Sequence, residues 1–115
     1  MSKKVTMYHN PRCSKSRQTL DLLRAHDIDL EVIEYLKDPP TVMALRDLSK
    51  KLGRTPQEMV RKKECAELKL TDNLSPQQYF RKIAEHPRLL ERPIVVCGKR
   101  ARIGRPPENV LELLD

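Results

Sequence analysis

The sequence has no tryptophan, one phenylalanine and three tyrosines, so its core cannot rest on large aromatic anchors and must be built from Leu, Val and Ile. No apolar run approaches the roughly 18 residues that cross a bilayer, and Met1-Ser2-Lys3-Lys4-Val5 lacks the apolar stretch of a secretory signal. These absences predict a cytoplasmic protein with no membrane partner. Cysteine is sparse: Cys13, Cys65 and Cys97 are widely separated and odd in number, which speaks against a disulfide framework and fits a reducing compartment. No Cys-x-x-Cys or His-x-x-x-His pair occurs, and His9 with Cys13 makes at most half a zinc site, so no metal is expected. Repeats, low-complexity tracts and linkers are also missing, and 115 residues suit one domain, 1–115, expected to work as a monomer.

What the chain has is positive charge. Twenty-three lysines and arginines against sixteen acidic residues give a formal net charge of +7, which attracts anions. Nucleic acid is disfavoured as the partner, because the basic residues are interleaved with acidic ones and no aromatic-rich segment or helix-turn-helix pattern accompanies them. A small oxyanion is the sharper expectation.

Val5-Thr6-Met7-Tyr8 reads as a strand that Asn10-Pro11 breaks. Cys13, Ser16, Leu20 and Leu23 then fall on one face of a helix that ends near Ala25-His26-Asp27, with the thiol at its amino end. Leu30 to Tyr35 alternates as a second strand, parallel to the first through a right-handed crossover. A helical insert follows. Thr41 caps a helix carrying Val42, Leu45, Leu48 and Leu52 and ended by Gly53; Thr55-Pro56-Gln57-Glu58 and Ser75-Pro76-Gln77-Gln78 are capping boxes that open two more. If the helix opened at Pro56 continues, Cys65 lies one turn from Arg61. Lys69 to Leu74 reads as a loop. Ile94 to Cys97 and Ala101 to Ile103 flank a turn at Gly98-Lys99-Arg100 as a hairpin, and Arg105-Pro106-Pro107-Glu108 opens a last helix offering Val110, Leu111 and Leu114 for burial.

The chemistry concentrates at Tyr8-His9-Asn10-Pro11-Arg12-Cys13-Ser14-Lys15-Ser16-Arg17. A thiolate at a helix amino terminus meets unpaired backbone N–H groups and the positive end of the helix dipole, and both favour its charged form. Arg12, Lys15 and Arg17 can add to this, and the same N–H groups can hold an oxyanion beside the sulfur. Ser16 stands where a Cys-x-x-Cys protein carries its second thiol. Its hydroxyl can hydrogen-bond the Cys13 sulfur but cannot form a disulfide with it, so the chemistry must draw on an outside thiol or a distant cysteine. A phosphatase-like loop is disfavoured, since Arg17 follows only four residues after Cys13 with no glycine between. Cys97, on an apolar strand, reads as core, and Cys65 as a surface cysteine.

The cysteine segment, Met59-Val60-Arg61-Lys62, Glu91-Arg92-Pro93-Ile94-Val95-Val96 and Ala101 to Leu111 together resemble the glutaredoxin-dependent arsenate reductase family, the ArsC family, from the first strand to the last helix in the same order. The resemblance implies a thioredoxin-like α/β fold: a mixed four-stranded sheet flanked by helices, with a helical insert between strands two and three. It implies Cys13 as nucleophile and Arg61, Arg92 and Arg105 around the oxyanion, with His9, Asn10, Ser16 and Arg17 shaping the cysteine loop and His9 supporting the thiolate. Pro93 would take the cis-proline position of that fold. No cofactor is implied as bound; glutathione and glutaredoxin would be external reductants for arsenate or a similar oxyanion. Planar guanidinium forks suit such a substrate, since they stay charged while the attacked centre gains electron density.

Two departures bear on substrate preference. Arg12 and the Ser14-Lys15 pair add charge where well-studied members have smaller residues, and the chain ends after the last helix where longer members carry a tail. Two other readings compete: a glutathione-dependent thiol oxidoreductase using Cys13 without arsenate, and a redox regulator resembling Spx that binds RNA polymerase. Ser16 in place of a second cysteine counts against the regulator, whose sensing needs a disulfide.

Overall fold

Alternation in the first seven-residue strand, Lys3–His9 (β1), buries Val5, Met7 and His9 on one side and gives the sheet its inner face. The computed structural model describes residues 3–70 and 74–114. The chain divides into two compact units, Met1–Asp38 with Arg92–Asp115, and Pro39–Glu91.

In the first unit, β1 leads into helix α1, Ser14–Arg24, and returns as β2, Ile28–Glu34, parallel to β1 in the register Lys3↔Ile28 to His9↔Glu34. Strands β3, Ile94–Cys97, and β4, Arg100–Ile103, form the expected hairpin, and β3 pairs antiparallel to β1 through Thr6↔Val96, Met7↔Val95 and Tyr8↔Ile94. The order β2-β1-β3-β4 is the mixed four-stranded sheet expected from the sequence. The hairpin closes Cys97↔Arg100 over the two residues Gly98 and Lys99, with Gly98 at φ 61°, the positive value that a tight hairpin turn asks of glycine.

The core of this unit joins Val5, Met7, Leu20, Leu23, Val95, Val110 and Leu113. Its last element departs from expectation: Pro107–Leu114 is a 3-10 helix and buries Pro107, Val110 and Leu113, with Leu111 and Leu114 only half-buried. Three residues per turn align every third side chain, whereas an α-helical face would have selected Val110, Leu111 and Leu114.

The second unit carries α2, Val42–Leu52, α3, Lys62–Glu67, and α4, Pro76–Glu85. Thr41 Oγ1 accepts the Ala44 N–H at 3.1 Å, and Gly53 ends α2 in the left-handed conformation, φ 67°. The Ser75 box opens α4, with Gln78 N–H on Ser75 Oγ at 3.2 Å and Ser75 N–H on Gln78 Oε1 at 2.7 Å. Helix α4 packs on α2 and on the short 3-10 turns Pro56–Met59 and Pro87–Leu89.

The Thr55 box is present, yet it opens only the 3-10 turn. The helix does not continue to Cys65. Val60 is extended at φ −106°, ψ 150° and bridges Leu90, while the Arg61 N–H donates to Leu89 O and the Glu91 N–H to Met59 O, both at 2.7 Å. Pairing with a segment thirty residues away thus outcompetes local helix propagation, and α3 restarts with Arg61 as its N-cap. Cys65 still sits one turn from Arg61, its N–H on Arg61 O at 3.0 Å. The middle of the expected Lys69–Leu74 loop, residues 71–73, lies outside the described residues. No described helix is long and apolar enough to cross a membrane.

Candidate active site

Where β1 ends, the chain folds back on itself before α1 begins. Asn10 organises that reversal: its carbonyl accepts the Cys13 N–H and its Oδ1 the Arg12 N–H, each at 3.0 Å, a side-chain mimic of a turn. Arg17 Nη1 donates to Pro11 O at 2.9 Å from outside. Inside, Ser16 Oγ accepts the Asn10 N–H at 3.0 Å and lies 2.7 Å from His9 Nδ1. His9 is 6% exposed and Ser16 fully buried. The structure therefore brings His9, Asn10, Ser16 and Arg17 together around the cysteine loop.

The Ser16 hydroxyl serves a different partner from the one anticipated. Its contacts run to His9 and Asn10, and Ser16 addresses the sulfur through its backbone N–H instead. Burial holds His9 below its ordinary value, opposed by Glu34 and aided by Arg24 and Arg17. With the ring neutral, Nδ1 accepts the Ser16 proton while Ser16 accepts from Asn10, which satisfies all three groups. His9 acts on the loop through Ser16.

Cys13 is the N-cap of α1, at φ −93° and ψ 123°, and is 9% exposed. Burial pushes its thiol up, the largest single effect. The Ser16 N–H, a hydrogen bond from Arg92, the Arg92 charge and the Lys15 N–H outweigh it, leaving the thiol below its ordinary value. Arg105 Nη2 stands 3.6 Å from Sγ. The cationic help thus comes from Arg92 and Arg105, seventy-nine and ninety-two positions along the chain. Of the local cations, Arg17 is tied to Pro11 and Lys15 contributes its backbone N–H.

Arg92 and Arg105 are mutually braced. Arg105 Nε donates to Arg92 O at 2.7 Å and the Gly104 N–H to Pro93 O at 2.9 Å. The Arg92–Pro93 bond is cis, and so is Arg105–Pro106. Two positioning residues escaped the sequence reading, Thr19 and Gly104. Thr19 is fully buried with Oγ1 on Lys15 O at 2.8 Å. A Cβ at Gly104 would fall 2.7 Å from Thr19 Oγ1 and 2.8 Å from Pro93 Cγ; the bare backbone lets the arginine-bearing segment reach α1. The available signal was a glycine outside any turn in a chain with three.

Arg61 belongs to the second unit, where its guanidinium meets Glu64 Oε1 at 2.6 Å and Glu91 Oε1 at 3.9 Å. Cys65 is half-buried on α3, and Cys97 is half-buried against the sheet core. Among the described residues no three His, Cys, Asp or Glu side chains cluster to hold a metal.

Around Cys13 the arrangement offers a thiolate, helix N–H groups and guanidinium donors. Arg92 Nε is buried without a hydrogen-bond partner among the described residues, which leaves one donor of this guanidinium unspent. Such a set can hold a tetrahedral oxyanion against a nucleophilic sulfur.

The family model described as the ArsC family matches residues 8–113. An Escherichia coli (strain K12) relative named Uncharacterized protein YfgD is 49% identical, covering 99% of each chain. An arsenate reductase of Haemophilus influenzae is 46% identical, covering 96% of this chain and 98% of its own. Among solved structures, an arsenate reductase from Vibrio cholerae superposes with a TM-score of 0.92 at 47% identity, over 98% of this chain and 99% of that one.

Proposed function

Because the chain belongs to the ArsC family and shares its thioredoxin-like α/β fold, we propose that it is an arsenate reductase that uses Cys13 as nucleophile and glutathione with glutaredoxin as external reductants. The observation that carries this reading is the thiol of Cys13, lowered by Arg92 and backbone N–H groups, with Arg105 3.6 Å from the sulfur.

The Cys13 thiolate attacks As(V), and an arsenate oxygen takes up protons and leaves as water. Glutathione then attacks the thiol-bound arsenic and displaces a second oxygen as water. The glutaredoxin thiolate attacks the glutathione sulfur, and the S–As bond breaks with its electron pair left on arsenic, so that As(V) becomes As(III). Arsenite is released from Cys13 by hydrolysis, and the glutaredoxin–glutathione mixed disulfide is reduced by further glutathione. Arg92 and Arg105 neutralise charge that builds on the remaining oxygens, and the family resemblance gives Arg61 the same task. Ser16, in the first turn of α1 three residues after Cys13, leaves no thiol there to resolve the intermediate, so this reading draws the reductant from outside. The protein works in this reading as a cytoplasmic monomer.

The test is NADPH consumption with glutathione, glutathione reductase and glutaredoxin across arsenate concentrations, comparing wild type with Cys13→Ser. Saturable turnover that disappears in Cys13→Ser is expected. Absence of any arsenate response, with Cys13 still reducing glutathione disulfide, would replace arsenate reduction with thiol exchange.

A further inference from the structure

Arg12 and Lys15 flank the nucleophile, yet their side chains take no part in the site built around it. Both are exposed, and neither side chain makes an ion pair or hydrogen bond among the described residues. The side-chain charge that lowers the Cys13 thiol is that of Arg92, while Lys15 reaches the sulfur through its backbone N–H. Nor does the helix gain from them. The first turn of α1 holds no acidic residue, and a lysine there opposes the dipole that a carboxylate would complement.

Nearby sequence leaves the two charges unanswered. Residues 10–20 and 92–107, the segments that meet at Cys13, contain no aspartate or glutamate, and Glu34, opposite His9 in the β1–β2 register, faces Lys37 at 3.6 Å. The backbone beneath both cations is held: the Arg12 N–H donates to Asn10 Oδ1 at 3.0 Å, and Lys15 sits in the first turn of α1. Two uncompensated cations are thus fixed at their stems beside a sulfur only 9% exposed.

Arg92 and Arg105 reach the sulfur itself, so a tetrahedral oxyanion bound there is met without Arg12 or Lys15. A ligand that uses all four is longer, with its reacting atom at Cys13 and negative charge farther out. A thiol that carries carboxylates has this form, as glutathione does at both ends. Exposed cations steer such a ligand to the sulfur and raise its encounter rate. We propose that Arg12 and Lys15 form the recognition patch for the carboxylates of the thiol or disulfide that reacts at Cys13, a role that rests on the reading above in which the reductant comes from outside.

The experiment follows thiolation of Cys13, by mass spectrometry of its peptide, with glutathione disulfide and with the neutral hydroxyethyl disulfide. In each case the Cys13 thiolate bonds to one sulfur of the reagent while the S–S bond breaks and its electron pair leaves on the other sulfur as a thiolate. Both reagents meet the same thiolate, so the ratio of their rates cancels its population and nucleophilicity. That ratio should fall about three- to tenfold in Arg12→Gln/Lys15→Gln at low salt, and the difference from wild type should close near about 1 M salt. Lys99→Gln, the same loss of charge in the β3–β4 turn, should leave the ratio unchanged. An undiminished ratio in a double variant with a wild-type circular dichroism spectrum, an equal fall in Lys99→Gln, or a difference that survives high salt overturns the proposal. If the double variant unfolds, Arg12→Gln and Lys15→Gln must each lower the ratio singly. Lack of arsenate turnover in wild type, with these ratios as expected, strikes arsenate reduction and leaves the patch standing.

Discussion

Replacing Arg92 with glutamine separates the two consequences of a stabilised thiolate. In wild type the Arg92 side chain hydrogen-bonds the Cys13 sulfur and adds its charge, against a burial effect that favours the neutral thiol. Hydrogen bonds to charged groups contribute about 1.5–3 kcal/mol, and the lower end is apt because Ser16 and Lys15 N–H groups remain on the sulfur. A loss of about 1.4 kcal/mol cuts the thiolate population about tenfold at any pH below the wild-type thiol's own titration. The more basic thiolate is intrinsically more nucleophilic, by about threefold for the same change at a Brønsted slope near 0.4–0.5. Alkylation by iodoacetamide, followed from acid to alkaline pH, should therefore run about threefold slower than wild type below the wild-type thiol's titration and about threefold faster on the alkaline plateau. The two profiles must cross. Superimposable profiles, or a variant slower at every pH, would show that Arg92 does not stabilise the thiolate, and the oxyanion argument would lose its central residue. The Arg92 carbonyl stays available to Arg105 Nε in this variant, so a crossing cannot be ascribed to loss of that brace.

Three further outcomes follow from the same contacts. His9 is held below its ordinary value of 6.5, mainly by burial, so the unfolded chain binds the extra proton first; the stability contribution is complete above that value and is lost as pH falls through the lower folded value. Urea midpoints of wild type should decline through that window, and His9→Asn, which cannot take up the proton, should show a flatter decline. Ser16→Ala leaves the buried His9 Nδ1 and Asn10 N–H without their shared partner, costing about 1–3 kcal/mol in urea unfolding; an unchanged midpoint would remove Ser16 from the loop's support. Leu23, fully buried in the sheet core, should cost about 2–5 kcal/mol as Leu23→Ala, whereas Val32→Ala, at a site 37% exposed, should stay below about 1 kcal/mol in the same titration.

Legibility followed sequence distance. The Asn-Pro break, Thr41 with Gly53, the Ser75 box and the glycine turn each act within about ten residues, and each marked an element that the structure contains. Thr55 shows the limit: its box is made, but Val60 pairs with Leu90 and the helix stops. Nothing within five residues of Val60 encodes that competition. The terminal 3-10 helix is similar, since Pro107, Val110 and Leu113 compete with an α-helical set of equally apolar residues, and the sheet core selects between them.

The candidate site divides along the same line. His9, Asn10, Ser16 and Arg17 lie within nine residues of chain, and their grouping came with the family resemblance, while the local pattern misdirected the Ser16 hydroxyl to sulfur. Arg92 and Arg105 reach Cys13 from the far end of the chain; their placement came from family resemblance, because composition offers 23 basic residues and no way to choose. What remained invisible is the charge that answers an arginine. Glu64 looks like an ordinary helix-opening glutamate until the Leu89 carbonyl claims the N–H it would have capped. A backbone hydrogen bond formed across nearly thirty residues thus redirects a carboxylate onto a guanidinium.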